Sequence, residues 1–135
     1  MALSFDPSVC EVHAPLMIGA TLVMALPNQH GDIDHLHRLV LQERITFIQC
    51  APSLLRLLLG ERDWSSSALE QVCCGGESLS HEMQGEFAKR WPGKALHNRY
   101  GPTEATIDAS YRKDCQINPQ ASIGRPIANT RIHIL

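Results

Sequence analysis

From Ile45 onward, short β-branched or apolar runs alternate with amphipathic helical stretches, and this alternation constrains the chain more than any other feature. Ile45-Thr46-Phe47-Ile48-Gln49-Cys50 is β-branched and aromatic and predicts a strand. Pro52 suits the first turn of a helix reaching Leu59, with Gly60 at its end. Leu69 to Cys74 predicts the next strand, Ser80 to Arg90 the next helix, and Trp91-Pro92-Gly93 its stop. Ala95-Leu96-His97-Asn98 predicts a further strand. Such an order demands right-handed crossovers, so the expected class is α/β, a mostly parallel sheet flanked by helices.

The flanks are less regular. Ser8 is placed to cap a helix from Val9 to Ile18, with Glu11 as its capping-box partner and Gly19 at its end. Thr21 to Leu26 predicts a buried strand closed by Pro27-Asn28. Asp32 or Asp34 starts a helix that carries Leu36, Leu39 and Val40 on one face and ends near Arg44. Thr106 to Tyr111 and Thr130 to Leu135 predict further strands.

Composition narrows the function. The 12 basic and 14 acidic residues give a net charge of -2 with no basic block, which disfavours nucleic acid and anionic membranes as partners. The longest apolar runs, near Leu54 to Leu59, are broken by Arg56 and fall far short of a span of about 20 residues. Met1 to Ser4 has neither a basic n-region nor an apolar h-region, so the expected location is the cytoplasm. Of the 5 cysteines none sits in a Cys-x-x-Cys frame, and Cys50, Cys73 and Cys74 read as small buried hydrophobes. His35 and His37 diverge at a spacing of two on a helix and make no chelating pair.

In parallel sheets, ligands bind beyond the carboxyl ends of the strands. Gln49, Cys73 with Gly75, and Asn98 with Tyr100 all lie at such ends. Asn98-Arg99-Tyr100-Gly101-Pro102-Thr103-Glu104 has the contents of a nucleotide site: an aromatic face for a base, an amide for its edge, a forced turn, a hydroxyl and a carboxylate. A hard cation suits the last two.

This run resembles a core motif of nonribosomal peptide synthetase adenylation domains, Asn-x-Tyr-Gly-Pro-Thr-Glu. Phe5-Asp6-Pro7-Ser8 is similar to the Phe-Asp-x-Ser motif that precedes it in that family. Ala51-Pro52-Ser53, Cys74-Gly75-Gly76-Glu77-Ser78 and Ile123 to Thr130 match further turns, so the resemblance covers essentially the whole chain. Tyr-Gly-x-Thr-Glu alone would indicate the broader adenylate-forming superfamily, including acyl-CoA ligases. Phe-Asp-x-Ser narrows it to amino-acid activation.

The resemblance implies part of the large N-terminal subdomain of an adenylate-forming enzyme, which joins an amino acid to ATP with magnesium and passes it to a phosphopantetheine thiol. Glu104 would hold the metal and Thr103 would contact the α-phosphate. Tyr100 would stack on adenine, Asn98 would meet its edge, Gly101 would shape the turn, and Gly75 and Gly76 would let the backbone pass close by. Asp6 would pair with the substrate ammonium, although taken alone it is equally a residue of a helix start. The side-chain pocket would comprise Pro7, Cys10, Gln49, Cys73, Gly75, Arg99, Ile107 and Asp108. Gln49, Arg99 and Asp108 favour a polar or charged substrate, since an apolar one leaves buried groups unpaired at about 1–3 kcal/mol each. Whether Arg99 and Asp108 each read the substrate or neutralise one another is open at this level.

In the family a lysine-bearing phosphate loop lies upstream of such a segment, and a ribose-binding aspartate, hinge and lid lie downstream. Residues 1–135 are thus expected to be a central fragment, inactive alone, poorly soluble, and served in its parent by peptidyl carrier and condensation domains. A remnant that binds a nucleotide or amino acid without turnover is the competing reading. A Rossmann-type enzyme has no support, because no Gly-x-Gly-x-x-Gly follows a predicted strand.

Overall fold

The computed structural model describes residues 4–60, 63–64, 66–115 and 122–134. Its helices are α1 (Ser8–Met17), α2 (Ile33–Gln42), α3 (Pro52–Leu58) and α4 (His81–Arg90). Its strands are β1 (Phe47–Cys50), β2 (Gln71–Cys74), β3 (Ala95–Tyr100), β4 (Ser110–Arg112) and β5 (Arg125–Pro126). They form one sheet in the order β1-β2-β3-β4-β5. The first three run parallel, with Gln49 opposite Cys73 and Cys73 opposite His97. The last two are antiparallel, so the sheet is mixed.

The α/β alternation is present where the sequence put it. Asp32 caps α2 by accepting from the His35 amide at 3.0 Å, and Ser80 caps α4 by accepting from Met83 at 3.2 Å. Pro52 stands at the start of α3, where its missing N–H costs nothing. Strand periodicity sends Val72, Cys74 and Leu96 to one face, where α3 supplies Leu55 and Leu58 and α4 supplies Met83 and Phe87. Leu55, Val72, Phe87 and Leu96 have no exposure at all, and such burial contributes about 1.5–3 kcal/mol per side chain. Trp64 donates its indole N–H to the Leu58 carbonyl at 2.9 Å and lies against Trp91, closing the end of this core.

Several expectations change. Ser8 does not cap α1. It is the first helical residue and is buried, because the preceding turn meets the orphan donors: Ser8 donates to the Phe5 carbonyl at 3.0 Å and Val9 to that of Asp6 at 3.1 Å. Thr21 to Leu26 is not a strand. An apolar run needs a ladder to satisfy its backbone, and this one does not join β1; Leu26 instead donates to His35 Nε2 at 3.4 Å. The strand expected over Thr106 to Tyr111 is confined to Ser110–Arg112, because Thr106 and Ile107 take left-handed φ values of 61° and 77°. Thr130 to Ile134 is irregular, and Leu135 lies outside the described residues. The strand expected to end at Asn98 continues to Tyr100.

Candidate functional site

Each parallel strand ends in a turn on the same side of the sheet, and the turns carry most of the residues singled out above. Gly75 follows β2 and packs against β3: a Cβ there would meet the Arg99 carbonyl oxygen at 3.3 Å and Arg99 Cβ at 3.7 Å. Gly76 turns with φ 83°, which favours glycine. Gly101 leaves β3 under a tighter constraint. Its missing Cβ would run into the Ile107 carbonyl and lie 2.7 Å from both Ala109 N and Asp108 Cα, all backbone.

That contact belongs to a folded loop. Thr103–Ala105 forms a single 3-10 turn, closed by Ala105 donating to Pro102 at 2.9 Å and Thr106 to Thr103 at 3.1 Å. Asp108 then donates to the Thr106 carbonyl at 3.0 Å across Ile107, a γ-turn of the rarer, positive-φ hand. Ala109 donates to the Tyr100 carbonyl at 2.8 Å and brings the chain back beside β3.

The loop delivers Asp108 to Arg99. Arg99 Nη1 lies 2.9 Å from Asp108 Oδ2, with both side chains mostly covered. Burial raises the Asp108 carboxyl above its ordinary value, Arg99 opposes the rise, and the nearby Asp6 carboxylate adds to it. Burial also pushes the Cys73 thiol up to about 12, with Arg99 and Asp108 again among the charges it feels. Asp6, Cys73, Arg99 and Asp108 therefore form one electrostatic group, and burial favours the Cys73 thiol over the thiolate at neutral pH. Arg99 Nε is buried without a hydrogen-bond partner.

The other residues expected to line the side-chain pocket lie next to members of this group along the chain or across the sheet, apart from Cys10. Gln49 is the register neighbour of Cys73, and Ile107 precedes Asp108 in the γ-turn. Pro7 precedes the first turn of α1 and Cys10 stands half-buried within it. The residues expected at the nucleotide divide differently. Tyr100, Thr103, Glu104 and Gly76 are exposed, whereas Asn98 is only 7% exposed and donates its amide to the Ser122 carbonyl at 3.0 Å. Asn98 is thus held within the fold, tying the segment before β5 to the end of β3.

Among the described residues no group of three or more His, Cys, Asp or Glu is arranged to hold a metal. The Glu104 carboxylate and Thr103 hydroxyl are hard oxygen donors open to solvent, a set that suits magnesium, which keeps few protein ligands when phosphates and water complete its shell.

Two constellations escaped the sequence. Glu77 accepts from the Ser53 amide at 2.9 Å and the Ser53 hydroxyl at 2.8 Å. The available signal was that Ala51, before Pro52, offers α3 no cap of its own. His97 is buried beside Cys73: its Nδ1 accepts from the Asp114 amide at 3.1 Å, so the proton sits on Nε2 and is donated to Gln71 Oε1 at 3.2 Å. Burial lowers the His97 pKa, in keeping with a neutral ring. No local pattern marks that arrangement.

The family model for AMP-binding enzymes matches residues 1–135. Tyrocidine synthase 3 of Brevibacillus parabrevis is 41% identical over 136 residues, which is 98% of this chain and 2% of that protein. The chain thus spans a small part of the curated relative it matches. The nonribosomal peptide synthetase FmoA3 in an AMPPNP-bound form superposes with a TM-score of 0.84 at 31% identity, over 96% of this chain and 15% of the other. PA1221, a protein containing adenylation and PCP domains, superposes with a TM-score of 0.83 at 26% identity, over 95% of this chain and 26% of the other. These residues therefore belong to the AMP-binding enzyme family, and they are similar to stretches of nonribosomal peptide synthetases.

Proposed function

We propose that residues 1–135 are the central part of an adenylation domain whose full-length protein activates an amino acid with ATP. The amino-acid carboxylate attacks the α-phosphorus, the bond to the bridging oxygen breaks, and pyrophosphate leaves with the electron pair, giving an aminoacyl adenylate. Magnesium, when bound, neutralises phosphate charge as it shifts in the transition state. Glu104 and Thr103 are assigned to the metal and α-phosphate, Tyr100 and the Gly75-Gly76 turn to the base. Asn98 holds the edge of that site through Ser122. Asp6 receives the substrate ammonium, a charge-assisted bond that a plain carboxylic acid does not make.

One observation carries the substrate reading: Arg99 and Asp108 are already paired at 2.9 Å beside Asp6 and Cys73. The pocket's two charges cancel, so a charged substrate side chain would have to break the pair. The buried donor at Arg99 Nε still needs a partner. A neutral polar side chain, amide or hydroxyl, supplies an acceptor for it. Transfer to a phosphopantetheine thiol follows, on a carrier domain of the kind that PA1221 joins to its adenylation domain. Among the described residues no helix is long and apolar enough to cross a membrane.

Amino-acid-dependent exchange of pyrophosphate into ATP, measured on the full-length protein against the proteinogenic amino acids, tests this. The expected preference is for amide or hydroxyl side chains. Asp6→Ala is expected to raise the amino-acid KM, and Glu104→Gln to lower kcat at limiting magnesium. Preference for leucine or phenylalanine overturns the substrate reading, and absence of exchange with every amino acid overturns the activity.

A further inference from the structure

We propose that Glu77 is a positioning residue that sets the path of the Gly75-Gly76 turn by locking it to the corner between β1 and α3. Cys50 and Cys74 are register partners at the ends of adjacent parallel strands, so the turns after them run side by side. Three residues beyond each partner stand Ser53 and Glu77. The Glu77 carboxylate spends both oxygens on Ser53: Oε2 accepts from the backbone N–H at 2.9 Å and Oε1 from the hydroxyl at 2.8 Å. Among the described residues, little else holds this turn at its apex. Two consecutive glycines have the widest backbone freedom of any dipeptide, Gly76 at φ 83° has nothing within 4 Å of its missing Cβ, and the Gly75 N–H reaches the Cys50 carbonyl only at 3.4 Å. Beyond Glu77 the chain is fixed again by buried Leu79 and the Ser80 cap. A charge-assisted fork at Glu77 therefore limits the turn to one of many accessible paths.

This rests on the adenylation reading, in which the turn borders the nucleotide and Gly75 the amino acid. A ligand that must first order a loose turn binds with its affinity reduced by that ordering, while the bound complex reacts as before. Glu77→Ala should then act on KM rather than kcat.

The experiment uses the full-length protein with Glu77→Ala, Glu77→Gln and Ser53→Ala. Amide hydrogen exchange is followed at Ser53, Gly75 and Gly76, and steady-state kinetics with ATP and the preferred amino acid. Glu77→Ala is expected to speed exchange at all three amides and raise the ATP KM by about tenfold, with kcat within about twofold of wild type. Glu77→Gln, which keeps length and one carbonyl acceptor, is expected to recover most of the loss. Ser53→Ala removes only the hydroxyl arm and should fall between them. Unchanged exchange at Gly75 and Gly76 in Glu77→Ala overturns the clamp. Faster exchange with an unchanged KM, or equal loss with Gln and Ala, overturns the positioning role. Hydrogen exchange needs no turnover, so it judges the clamp even where a wild-type protein without activity has overturned the adenylation reading alone. Where the Ala variant does not fold, the Gln and Ser53→Ala pair carries both measurements.

Discussion

Arg99 Nη1 lies 2.9 Å from Asp108 Oδ2, although eight residues stand between the two along the chain and a γ-turn closes on Asp108. In the proposed pocket the pair would convert two charges, each able on its own to select a charged substrate, into a neutral hydrogen-bonding wall. Removing one partner leaves the other mostly covered and uncompensated. Arg99→Ala is expected to cost about 1–2 kcal/mol of stability at pH 7. Asp108 already has a raised pKa, and without Arg99 it rises further, so the variant regains stability as acid protonates the carboxyl. Urea midpoints at pH 7 and pH 4 check this; the deficit should be larger at pH 7, and an equal deficit would show that the pair contributes packing alone.

Gly101→Ala should disrupt the same loop by steric means. The new Cβ meets three backbone groups, which cannot swing aside as a side-chain tip does. The expected cost is about 1–3 kcal/mol, with the fluorescence of Tyr100 altered as the loop opens. Denaturation of the variant measures this, and Gly85→Ala in α4, where the new Cβ meets open space, should instead stabilise the chain through helix propensity.

Thr106→Gly is expected to stabilise the chain. Thr106 is exposed at φ 61°, ψ 66°, a left-handed conformation that costs a side chain about 1–2 kcal/mol. Glycine loses about 0.5–1 kcal/mol through unfolded-state entropy, leaving a net gain of about 0.5–1 kcal/mol. Thermal unfolding measures it. A fall in Tm would mean that the threonine side chain contributes more than its backbone strain costs.

His97 predicts a pH dependence of opposite sign to that of Asp108. Its folded pKa lies below the ordinary 6.5, so the unfolded chain takes up the proton first as pH falls. The stability it contributes is complete above 6.5 and is lost as pH drops through the folded value, where protonated Nδ1 no longer accepts from Asp114. His97→Gln should flatten the stability profile between pH 7 and pH 5. An unchanged slope would place the titration elsewhere.

How far the sequence alone determined this protein follows from the range of the forces involved. The β1–α3–β2–α4–β3 order and the helix starts near Asp32, Pro52 and Ser80 were legible because each depends on residues within one turn or one strand of each other. The candidate site was legible as a set of strand-end residues for the same reason, and the motif order carried the family. What the tertiary structure decided is where backbone preference and burial disagree. Thr106 and Ile107 are β-branched and read as strand, yet the approach of Ile107 to Gly101 and the return of Ala109 to Tyr100 hold them in left-handed conformations. Thr21 to Leu26 is apolar enough for a strand but gains no ladder. The Arg99–Asp108 pairing, the Glu77–Ser53 fork and the His97 tautomer each join residues from different elements, and only packing brings those partners within hydrogen-bond distance.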